Sequence, residues 1–132
     1  MTFDETLWQE FAAESEEHLD ALERRLGAGP VMDRPGIDAL FRAFHSLKGM
    51  SDALGAGGMT QLAHRCEDLL GAARAGRVSV SGQVVDALLG AVDGLRALRA
   101  RMLEARQDGA PDPALLQRLA ALAEEGGVPA PP

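Results

Sequence analysis

Apolar residues recur at three- and four-residue intervals along nearly the whole chain, a helical pattern in which strands find almost no support. Leu7, Phe11, Ser15, Leu19, Leu22 and Leu26 mark the inner face of a first helix from about Asp4 to Leu26. Gly27-Ala28-Gly29-Pro30 ends it, since glycine accepts a left-handed cap and proline cannot continue a helix. A second helix begins near Pro35 and turns Ile37, Leu40, Phe41, Phe44, Leu47 and Leu54 inward, stopping in Gly55-Ala56-Gly57-Gly58. A third runs from about Met59 to Arg74, and Gly76 closes it. Val78-Ser79-Val80 reads as an extended connector, with Ser79 or Ser81 available to cap a fourth helix from about Gly82 to Arg106. After Gln107-Asp108-Gly109-Ala110-Pro111 a shorter fifth helix places Leu115, Leu116, Leu119 and Leu122 inward.

Four long amphipathic helices with short connections pack most simply as an antiparallel up-down four-helix bundle, with the additional C-terminal fifth helix against its side. The chain has 132 residues, enough for one core. Residues 1–125 read as that one domain, and 126–132, rich in glycine and proline, as the start of a flexible linker. A linker there suggests a piece of a larger protein.

Composition removes several classes of function. The formal net charge is -7, which disfavours nucleic acid and anionic membranes. No apolar run approaches the roughly 20 residues that span a bilayer, and the acidic N-terminus is no signal peptide, so a cytoplasmic protein without direct membrane contact is expected. The single cysteine, Cys66, falls on an apolar helical face and reads as a small buried hydrophobe. No histidine has a glutamate three residues before it, and His-Glu-x-x-His is absent, so no metal site is expected. Neither a phosphate-cradling Gly-x-x-x-x-Gly-Lys loop nor a dinucleotide fingerprint occurs, so the domain binds no cofactor of its own.

The chemistry concentrates in Phe41-Arg42-Ala43-Phe44-His45-Ser46-Leu47-Lys48-Gly49. At about 100° per residue, His45 lies roughly 120° from the centre of the apolar face, where solvent begins. Lys48 follows one turn along the same flank. On the third helix, His64 and Glu67 are also three apart, with Glu67 at the border of its apolar stripe. If the second and third helices are antiparallel neighbours, the His45 and Glu67 borders face each other. A carboxylate accepting from Nδ1–H leaves Nε2 as an exposed, more basic nucleophile, and Glu67 is the candidate. Lys48 offsets phosphate charge, and Gly49 clears space for a phosphoryl group and an incoming partner. Spacing alone also admits plainer readings: a surface histidine, a solvated Lys48–Glu67 ion pair, and a helical interaction bundle that is never phosphorylated. His64 is either a surface residue or a hydrogen-bonding neighbour of His45. His18, within Glu14-Ser15-Glu16-Glu17-His18, reads as a solvated face, and Trp8 as packing at the bundle end.

These residues resemble the histidine phosphotransfer domain at the N-terminus of CheA-type chemotaxis histidine kinases. The likeness covers nearly the whole chain. Phe11-Ala12-Ala13-Glu14-Ser15 follows the first-helix pattern, the run around His45 the signature, and Leu62-Ala63-His64-Arg65-Cys66-Glu67-Asp68-Leu69-Leu70 the third-helix motif. The resemblance implies that His45 is the phosphoacceptor, modified at Nε2 by a separate kinase catalytic domain that binds ATP. It implies that the group passes to an aspartate of response-regulator receiver domains of the CheY and CheB type, with Mg2+ in the receiver. Glu67 would hold Nδ1, while Lys48 and His64 complete a polar network. The isolated domain is then no enzyme but a substrate and phosphodonor, expected to be monomeric. A free-standing relay protein between two receivers is the alternative within signalling. Met50, Asp52 and Leu54 depart from the family pattern just past the site and bear on which regulator docks.

Overall fold

In the computed structural model, residues 3–29 and 33–125 are described, apart from the side chains of Phe3 and Glu125. Five helices follow one another: α1 (Phe3–Gly27), α2 (Arg34–Ala53), α3 (Gly57–Arg74), α4 (Gly82–Ala105) and α5 (Pro113–Glu125). The described residues contain no strand. The expected linker at 126–132 and the stop at Pro30 lie outside the described residues.

Each helix from α1 to α4 packs on its sequence neighbours, and α1 packs on α4, closing a ring. The long-range contacts give the directions. Along α2, residues 48, 45 and 38 descend while their α3 partners run 67, 67 and 74, so the two helices are antiparallel. Across the other seam, the C-cap Arg106 and then Arg99 and Arg96 of α4 meet Trp8, Ser15 and Asp20 of α1, again antiparallel. The fifth helix packs on α3 and α4, burying Leu119 and Leu122 and leaving Leu115 and Leu116 half-buried against the core.

Local chemistry sets the ends of the central hairpin. Asp33 caps α2 by accepting from the Gly36 amide at 2.9 Å, one residue past Pro35. At the other end Gly55 adopts φ +72, and the Ala56 amide reaches the Ser51 carbonyl at 2.8 Å, a six-residue closure that satisfies an orphaned helix carbonyl. Gly76 does the same for α3 with φ +80. Ser81 is the residue that caps α4, accepting from the Val84 amide at 3.4 Å.

The glycine stretch 55–58 differs from its sequence reading. Only Gly55 belongs to the turn; Gly57 and Gly58 form the first turn of α3. Their reason is a close approach from the α4–α5 connection, where a Cβ on Gly58 would overlap the Gly109 carbonyl oxygen. Ala56, at the N-cap, has no side chain to offer, and Asp108 supplies the cap instead, accepting from the Gly58 amide at 3.0 Å. Leu54 ends α2 as its C-cap and packs half-buried against the core.

The core is dominated by leucine, including Leu19, Leu22, Leu40, Leu62, Leu88 and Leu95, with Phe44 fully enclosed. Cys66 is buried among them, and that burial pushes its thiol pKa far up, keeping it protonated and inert. Ser15, the polar member of the inner face of α1, is completely buried and bonded to Arg99, whose Nε donates to its Oγ at 2.6 Å. None of the helices is long and apolar enough to cross a membrane, among the described residues.

Candidate functional site

His45 projects from the flank of α2 because Leu40, Phe44 and Leu47 take the buried stripe and leave position 45 at its edge. Its side chain is 62% exposed, whereas Glu67, across the groove on α3, keeps only 14%. His45 Nδ1 lies 3.2 Å from Glu67 Oε2. Lys48 completes the cluster from one turn further along α2, with Nζ 3.0 Å from Oε1 and 2.8 Å from Oε2 of the same carboxylate.

Electrostatics decide the tautomer. Partial burial pushes the Glu67 carboxyl up, but hydrogen bonds from Lys48 and His45, with their charges, outweigh it and hold the group below its ordinary pKa. An ionised carboxylate has no proton to donate, so Nδ1 carries the hydrogen and donates it. In the neutral ring the lone pair is then on Nε2, the nitrogen turned away from Glu67. The arrangement is an imidazole whose protonated nitrogen is restrained and whose basic nitrogen belongs to a ring open to solvent.

Gly49 meets no atom within 4 Å of an added Cβ, so packing inside the domain does not require glycine there. It lines a groove between α1 and α2, with Leu7, Phe11, Met50 and Ala53 as the apolar floor and Glu10 and Glu14 at the rim. Met50 is half-buried in that groove, and Asp52 is exposed. The structure brings His45, Glu67 and Lys48 together. His64 is directed elsewhere: its exposed ring faces Asp68 one turn along α3, Nε2 to Oδ1 3.5 Å. Among the described residues, no group of three His, Cys, Asp or Glu side chains has a metal-binding arrangement.

Two neighbours escaped the sequence reading. Phe41, counted there as core, is half-buried and lies parallel to the His45 ring, centroids 6.2 Å apart and planes 7° apart. Arg74 covers Phe41, its guanidinium carbon 4.6 Å from the ring centroid, and its Nε sits 2.8 Å from Asp38 Oδ1. The four-residue spacing of Phe41 and His45 was the available signal for the first contact. Nothing local signals the second.

A helical bundle that displays His45 on its flank, with Nδ1 held by a mostly buried carboxylate and the ring open to solvent, is the arrangement expected of a histidine phosphotransfer module. The chain belongs to the Hpt domain family, whose match covers residues 6–125. Among its relatives, the chemotaxis protein CheA of Treponema pallidum is 36% identical over 110 residues, covering 81% of this chain and 13% of that protein. CheA of Cereibacter sphaeroides is 36% identical over 115 residues, 83% of this chain and 16% of that protein. The chain therefore spans a small part of the length of these relatives. The phosphorylated P1 domain of CheA3, solved in complex with CheY6 from R. sphaeroides, superposes with a TM-score of 0.84 at 33% identity. That match covers 92% of this chain and 98% of the P1 chain.

Proposed function

We propose that His45 is a phosphoryl carrier, charged at Nε2 by an ATP-binding histidine-kinase domain and discharged onto an aspartate of a response-regulator receiver domain. The observation that carries this reading is the pairing of a mostly exposed imidazole with a mostly buried carboxylate 3.2 Å from its Nδ1. In the charging step the Nε2 lone pair attacks the γ-phosphorus of ATP, the bond to the bridging oxygen breaks, and ADP leaves. The ring acquires positive charge, which Glu67 stabilises through the Nδ1 proton it already accepts. In the discharging step an aspartate oxygen attacks phosphorus, the P–N bond breaks, and its electron pair returns to Nε2. ATP and the receiver's Mg2+ belong to the partners.

Lys48 serves twice in this scheme, holding Glu67 and offsetting the phosphoryl charge beside it. Gly49 leaves a side-chain-free approach on the same flank. His64, engaged with Asp68, has no direct part. The relationship to the phosphorylated P1 domain supports the phosphohistidine, and the partner in that structure supports a receiver of the CheY type. The module acts in the cytoplasm, as a monomer in isolation, and is itself no enzyme.

The test uses a CheA-type kinase core with radiolabelled ATP. The chain should acquire acid-labile, base-stable phosphate, and His45→Gln should acquire none. Persistent labelling of that variant refutes the assignment.

A further inference from the structure

We propose that Phe41, held in place by Arg74, is a positioning residue that sets the plane of the His45 ring; the inference rests on the carrier role above. The covalent link through Cβ and one hydrogen bond from Nδ1 to Glu67 hold the imidazole along one edge, so it can still rock about that edge, carrying Nε2 through an arc. A second aromatic ring lying parallel at 7° removes this freedom, because tilting the imidazole breaks the stack. One edge and one plane together fix where the Nε2 lone pair is aimed.

Phe41 packs against the core from its border and keeps part of its ring at the surface. Phe44 fills the interior with no exposed surface, whereas Phe41 is half-buried at the α2–α3 seam. It lies across Gly71, where an added Cβ would come 3.8 Å from its Cε2. Arg74 then closes over the ring, a cation on an aromatic face, and is itself anchored by Asp38. The Asp38 contact is an ion pair by distance, without hydrogen-bond alignment, for Oδ1 has no hydrogen-bonding partner. A chain of contacts runs from Asp38 through Arg74 and Phe41 to His45.

The experiment compares the protein with Phe41→Leu, Phe41→Tyr, Arg74→Ala and Arg74→Lys. Two quantities are measured: the NMR order parameter of the His45 Cε1–H bond, and the rate of phosphorylation of His45 by potassium phosphoramidate. In that reaction Nε2 attacks phosphorus, the P–N bond of the reagent breaks, and ammonia departs. Phe41→Leu should lower the order parameter and slow phosphorylation about three- to tenfold, the loss expected for one aromatic contact. Phe41→Tyr, which keeps the ring, should retain both values. Arg74→Ala should fall between the two, and Arg74→Lys, which keeps the charge without the planar face, should resemble it.

Wild-type ring order in Phe41→Leu overturns the proposal, and so does wild-type order in Arg74→Ala if Phe41→Leu fails to fold. A protein that takes no phosphate on His45, yet whose ring loosens in Phe41→Leu, sinks the carrier role while leaving the stacking intact.

Discussion

His45 Nδ1 and Glu67 Oε2 lie 3.2 Å apart although 22 positions separate them in sequence, one on the flank of α2 and the other facing it from α3. The contact depends on the three-residue turn at Leu54-Gly55-Ala56, which reverses the chain and sets the two flanks side by side. Because Glu67 is mostly buried and His45 mostly open, the acid is the fixed partner and the imidazole the displayed one.

Replacing Glu67 by glutamine separates orientation from folding. The amide can still hydrogen-bond Nδ1 but carries no charge to stabilise an imidazolium, and its NH2 group can favour the wrong tautomer. Phosphorylation by the kinase core should slow by at least about tenfold, and by up to roughly ten-thousandfold if the amide fixes the wrong tautomer. The fold should still form and lose about 1–3 kcal/mol, because Lys48 is left beside a mostly buried amide without its counter-charge. Initial rates of labelling beside thermal melts check both parts; unchanged rates remove Glu67 from the mechanism.

The acid side of the pH profile follows from the same carboxylate. Its pKa in the folded chain is held below the ordinary 4.5, so its ion pairs favour the folded state above that value. That contribution is lost as pH falls through the depressed folded value. Lys48→Met removes one hydrogen bond and one charge that hold the pKa down, leaving burial less opposed. The midpoint of the Glu67 carboxyl carbon titration should therefore move up in this variant, and the loss of the His45 restraint should begin at higher pH. An unmoved midpoint would show that Lys48 is electrostatically idle.

Gly49 offers a test in which stability and transfer move in opposite directions. Nothing within 4 Å meets an added Cβ, and the position is in a helix interior, so Gly49→Ala should stabilise the fold by about 0.5–1 kcal/mol. If the bare position exists for an incoming kinase or receiver, the same variant should transfer phosphate roughly tenfold more slowly. A variant both more stable and equally fast would leave Gly49 without a functional role.

How far the sequence carries is clear from these residues. The helices are legible because burial is periodic along each of them, and the facing of His45 and Glu67 is legible because both border an apolar stripe beside a short turn. What escaped depends on register and side-chain direction across seams. Arg74 covers Phe41 from the neighbouring helix, a contact no spacing along α2 contains. His64 has the right flank for the His45 cluster yet turns to Asp68, a choice between neighbours that periodicity cannot make. Trp8, read as packing at the end of the bundle, stacks against Arg106, the residue that leaves α4 with φ 54.

The cap on α3 is the clearest of these long-range effects and has a measurable consequence. Its first turn holds two glycines and an alanine N-cap without a polar side chain, so by local chemistry it should fray. Asp108, 50 residues downstream, bonds the Gly58 amide and places the Gly109 carbonyl against the same residue. Asp108→Ala should cost about 1 kcal/mol, as for loss of a local N-cap, and should speed hydrogen exchange at the first amides of α3. Gly58→Ala should cost about 1–3 kcal/mol, because the added methyl meets backbone that cannot move aside without displacing the α4–α5 connection. Both variants should keep His45 labelling, since His45 lies more than two turns from the end of α2 and Glu67 more than two turns from the start of α3. Wild-type stability in both would show that the connection merely rests on α3 and does not hold it.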